Sequence, residues 1–196
     1  MVWKGLLPHD SDDNREVDEP ASLALSFSTI VEELFLLLTV FQADRAAVGQ
    51  FNKDMAVLSS RGDPLIDLRL AAIEPMVTKL LIGTAIKNRW RADALIKICG
   101  HSIGPWLVKV GRLFDNGEEQ VLTLREGCNK IIHADQIEPQ FLREGDLPPF
   151  LSGVVVMTGE KQGTSWKAEL DVSNYVRASL FNTYGGIDFP RGWIRL

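Results

Sequence analysis

A chain of 196 residues has room for one domain or one and a half, with no second independent core expected, and a single core of that size can bury most of its apolar side chains. Its hydrophobic share of 45% and charged share of 24% exclude a disordered or fibrous chain. The 26 acidic against 21 basic side chains leave a net charge of -5, so no global field draws it to nucleic acid or to an anionic membrane.

In chain order, Met1 to Pro20 carries Lys4 and then Asp10, Asp12, Asp13, Glu16, Asp18 and Glu19. That charge is wrong for a signal or transit peptide and fits a flexible leader over 1–20. The two cysteines, Cys99 and Cys128, are too few for a secreted disulfide scaffold, so they are expected to be reduced and buried and the chain cytoplasmic.

Ser22 is a candidate N-cap, and Leu23, Phe27, Ile30, Val31, Leu34, Leu37, Leu38 and Phe41 follow at helical spacing, which predicts a long buried helix. Glu32 and Glu33 interrupt this apolar run and are expected on an outward face. Each would cost about 3 kcal/mol in mid-bilayer, which argues against a membrane span. Helical character continues over Gln42 to Ser60 and weakens at Gly49. Gly62 stops it, and Asp63 and Pro64 can cap and open a second helix.

In that helix Leu65, Leu68, Ala71 and Ala72 come first. Pro75 is expected to kink or break it, and Met76, Leu80, Leu81, Ala85 and Ile86 carry the stripe onward, with Ala92 to Ile98 extending it to Gly100. Lys87-Asn88-Arg89-Trp90-Arg91 has two readings: a surface that stacks a base and holds phosphates, or a helix end whose tryptophan packs into the core. The second is favoured. His101, between Gly100 and Gly104, reads as a capping residue in a turn.

Gly104-Pro105 is expected to open a short helix, Trp106 to Phe114, ended by the turn signal Asp115-Asn116-Gly117, with another helix over Glu118 to Ala134. The fold class so predicted is mainly α, a bundle of four to five helices over 21–138. A C-terminal extension over 139–196 is expected to pack on it. There Val154 to Met157 and the alternating Trp166, Ala168 and Leu170 predict a β-hairpin, and Ser173 is expected to cap a terminal helix, Asn174 to Thr183.

The segment carrying candidate chemistry is Val121 to His133. At 100° per residue Val121, Leu124, Cys128, Ile131 and Ile132 share a sector about 100° wide, a core-facing stripe. Arg125, Asn129 and His133 follow one another at i, i+4 on the adjoining face, with Glu126 and Lys130 just beyond. A histidine titrating near neutrality can move a proton at an RNA 2'-hydroxyl or leaving oxygen, an arginine can hold the phosphate and an amide can orient either, so no metal and no cofactor are expected. Cys128 as a nucleophile with His133 as its base is disfavoured, because an i, i+5 offset sets the two about 140° apart.

Cys128-Asn129-Lys130-Ile131-Ile132-His133 resembles the motif of the HEPN family: an arginine, commonly followed directly by Asn, Asp or His, and a histidine with four to six residues between the arginine and it. Asn129 and His133 match, Cys128 stands at the arginine position, and Arg125 is the nearest candidate to replace it. The resemblance implies a helical bundle of a bacterial kind that often dimerises and, in many members, a metal-independent ribonuclease. On that basis Arg125, Asn129 and His133 would be catalytic, Lys130, Arg89 and Arg91 would contact RNA, and the partners would be RNA and a second copy or another protein. The competing reading, drawn from the residues, makes this edge a solvated helix face with His133 bonding the carbonyls that end the helix. The chain would then be a non-enzymatic interaction or homodimerisation module.

Overall fold

A computed structural model describes residues 21–49, 64–99, 107–145 and 147–184. The leader, the Asp63 cap, His101 and the chain beyond 184 lie outside the described residues. Four helices are joined there by a five-stranded antiparallel sheet, so the mainly α bundle expected from the sequence, and with it the bundle that the HEPN resemblance implies, is replaced by an α/β architecture.

Helices α1 (Ala21–Val48) and α2 (Pro64–Cys99) form an antiparallel pair. In α1, Ile30, Leu34, Leu37, Phe41 and Val48 recur at three-, four- and seven-residue steps and are buried. In α2, Ile73, Val77, Leu80, Leu81 and Ala85 face them. Pro75 does not break α2. The carbonyl that a proline leaves without an N–H partner belongs to Ala71, which is exposed and can bond water instead. Glu33 is turned toward α2 rather than outward: it pairs with Lys87 at 2.5 Å, and its Oε2 lies above Gly83, where a Cβ would approach to 3.1 Å.

Strands β1 (Lys109–Asp115) and β2 (Glu118–Thr123), then the short helix α3 (Leu124–Ile132), occupy the segment read as two helices. Asn116 and Gly117, both at positive φ, turn β1 into β2. Strand β3 (Gln136–Leu142) crosses position 138/139, the expected domain boundary, and tolerates Pro139 because it is an edge strand. The hairpin of β4 (Phe150–Lys161) and β5 (Thr164–Asp171) and the terminal helix α4 (Val172–Tyr184) follow as the sequence pattern predicts. The N-terminus of α4 is capped by Asp171 and not by Ser173: the Asn174 N–H donates to Asp171 Oδ1 at 2.8 Å.

The strand order is β2-β1-β5-β4-β3, so the C-terminal hairpin is continuous with β1 and β2 in one sheet. Gly111 permits the β1–β5 approach, since a Cβ there would come within 2.0 Å of the Glu169 carbonyl oxygen. One face of the sheet, with Leu122, Leu170, Val155, Ala168 and Met157, joins the helices in a single core. The other carries Arg112 and Lys167 bonded to Glu169, at 2.6 and 2.8 Å. The bridging cations hold the Glu169 carboxyl below its ordinary range.

A buried ion pair ties helices to sheet. Asp44 of α1 receives Arg69 of α2 in a two-pronged contact, 2.6 Å on one prong, and accepts the Leu151 N–H of β4 at 2.7 Å. Arg69 also lies 5.7 Å from the Phe141 ring centroid. Among the described residues no helix is long and apolar enough to cross a membrane.

Candidate functional site

Helix α3 begins where the sheet ends. Thr123 is its N-cap, in extended conformation, with its hydroxyl oxygen accepting the Glu126 N–H at 3.4 Å. Thr123-Leu124-Arg125-Glu126 has the S/T-x-x-E spacing of a capping box, a signal for a helix start at this point that the stripe reading passed over. Leu124, Cys128 and Ile131 face the core as the spacing predicts, whereas Val121 lies on the strand and is exposed.

The three residues expected to be catalytic stand in different surroundings. Arg125 is exposed on the outer side of α3. Asn129 is held on both sides: Arg89 of α2 donates to its Oδ1, and its own amide donates to Glu126 Oε2 at 3.2 Å. His133 is exposed at the C-cap, where its backbone N–H, and not its imidazole, bonds the Asn129 carbonyl at 3.1 Å. Eight residues of helix separate Arg125 from His133 by a rise of about 12 Å. The guanidinium that bonds Asn129 and whose charge acts on Cys128 is that of Arg89, forty positions upstream of Asn129, a pairing that no local spacing announces.

The residues expected to contact nucleic acid are engaged within the fold. Lys130 is only 6% exposed, its ammonium 4.2 Å from the Trp166 ring centroid and 3.7 Å from Glu126. Arg91 donates to the Asn182 carbonyl at 3.3 Å. The basic cluster is not a helix end: it lies inside α2, and Trp90 points outward rather than into the core.

Beneath the cluster runs a buried polar seam between α2 and α4. Thr84 and Tyr175 hydroxyls are 2.9 Å apart, and Asn88 bonds Ser179 at 2.9 Å and Asn182 at 3.0 Å. Cys128 borders this seam. Burial pushes its thiol up to about 12, against the smaller opposing effects of a hydrogen bond with Tyr175 and the charge of Arg89, so it is not a nucleophile at neutral pH. Burial likewise raises the Tyr175 phenol. No group of three or more His, Cys, Asp or Glu side chains placed to hold a metal occurs among the described residues.

The outward face of α2 has a different character. Met76, Ile82, Ile86 and Trp90 fall within about 120° of one another on a helical projection, opposite the buried stripe. They are 41, 37, 51 and 44% exposed. Met76 and Ile86, expected in the core with Leu80, Leu81 and Ala85, face out. Helix α2 is apolar on two sides, and a reading along the chain assigns both to one stripe.

Neither family models, nor curated proteins, nor solved structures yield a match to this chain.

Proposed function

We propose that this chain is a non-enzymatic protein-interaction module that binds its partner through the outward face of α2. The observation that carries the reading is the row of large apolar side chains at Met76, Ile82, Ile86 and Trp90, left in water on a helix whose opposite side already fills the core. A contiguous apolar patch on a soluble domain marks an interaction site, and tryptophan is among the residues that dominate binding energy. The alternative nucleophile, Cys128, is buried and protonated. Asn129 and Lys130 are held by neighbours in the fold. The test is a charge placed in the face: Ile86→Glu is expected to keep the chain folded and to remove its partner, read as a smaller elution size in cell extract.

One observation favours a second reading, an RNA-directed site along α3. Arg89 reaches Asn129 from another helix and brings a guanidinium beside Cys128, the position where the HEPN motif has its arginine, on the edge that leads to His133. Cleavage of a mixed RNA pool in EDTA by the parent protein, lost in His133→Ala with folding intact, would support it. No cleavage by either protein would count against it.

A further inference from the structure

The outward face of α2 carries two charges inside its apolar row. Lys79 and Asp93 are both exposed, lie about 21 Å apart along the helix and so cannot pair within one chain. Neither has a hydrogen bond or ion pair among the described residues. They stand seven residues to either side of Ile86, as Ile82 and Trp90 stand four to either side and Met76 and Ile96 ten.

Resting on the reading of this face as an interaction surface, we infer that its partner is a second copy of this chain, with the two α2 helices running antiparallel about a two-fold axis at Ile86. A two-fold operation of that kind sets residue 86 − n of one helix against 86 + n of the other. Ile86 then meets itself, Ile82 meets Trp90 of the other copy, Met76 meets Ile96, and Lys79 meets Asp93 in two symmetric ion pairs. A shift of the axis to Lys79 would instead put like charges face to face, so the charges select the register. Reaching both ion pairs about 10 Å from the axis requires helices near 20° from antiparallel, a common packing class.

The area agrees. At their exposures these large side chains leave on the order of 100 Å² each in water. Met76, Ile82, Ile86, Trp90 and Ile96, with Leu36 one turn beyond Glu33 on the adjoining helix, bring the face to the lower edge of the about 600–1,000 Å² per partner that stable interfaces bury. A dimer that dissociates on dilution is expected.

Sedimentation equilibrium of the purified full chain, with charge-reversed variants, tests this. The parent is expected to dimerise reversibly. Lys79→Glu and Asp93→Lys, each replacing two attractions by two repulsions, are expected to weaken the dimer roughly tenfold, and the double variant to restore it. In the same register Ile86→Cys is expected to form a disulfide-linked dimer on mild oxidation faster than Ile82→Cys. A parent that is monomeric at every concentration overturns the second copy as partner, as does a dimer indifferent to both reversals. Either result leaves the interaction face itself standing or falling on the extract measurement with Ile86→Glu.

Discussion

Cys128 and Lys130 sit two residues apart on α3, and the fold has decided the chemistry of both. The folded thiol titrates at about 12, above the ordinary 9.0, so the folded state holds its proton over a range where the unfolded state loses it. The contribution is complete below about pH 9 and is lost as pH rises toward about 12, at a slope of about 1.4 kcal/mol per pH unit. Tyr175, also raised, adds to the loss at the alkaline end. Urea unfolding between pH 8 and 11 should therefore show falling stability, with a shallower fall in Cys128→Ser. A parent as steep as the variant would contradict the burial of this thiol. Lys130, placed by helical spacing on a polar edge, is covered because Trp166 arrives from β5, a neighbour no window around residue 130 contains.

At the scale of elements, Asp44 is where α1, α2 and β4 are fastened together. Asp44→Ala leaves Arg69 buried without its counter-charge and the Leu151 N–H without its acceptor. A loss of about 3–5 kcal/mol is expected in denaturant unfolding, the range for breaking a buried pair on one side. A loss under about 1 kcal/mol would mean that water reaches Arg69. The same scale explains what could be read along the chain. The two long helices, the β4–β5 hairpin and the terminal helix follow their apolar periodicity because each buries one regular stripe. Strands β1 and β2 hide theirs. A bulge between Lys109 and Gly111 puts the buried Val110 and Leu113 three residues apart, the step of a helix, and the outer strand β2 exposes Glu118, Glu119, Gln120 and Val121, leaving no alternation to detect. Of the candidate site, the inward face of α3 was legible, whereas the tie from Arg89 to Asn129 was not, since it joins helices forty residues apart.

For the whole molecule, the helices cover one face of a single sheet, and α2, about 54 Å long, has its inner side in the core and its outer side in water. The outer side adds least to the stability of the isolated chain at Ile86, the most exposed residue of its apolar row, so a change there is expected to leave the domain folded, and an effect on assembly can be told apart from an effect on folding. The most direct measurement is the elution size of the parent and of Ile86→Glu in gently prepared extracts of the cells that make them, alongside thermal unfolding of both purified proteins. An unchanged unfolding midpoint with a drop in size to that of a single chain is the expected result. Equal elution of both proteins in the same larger assembly, or as single chains even in extract concentrated beyond the range in which a weak dimer associates, would contradict binding through the outward face of α2.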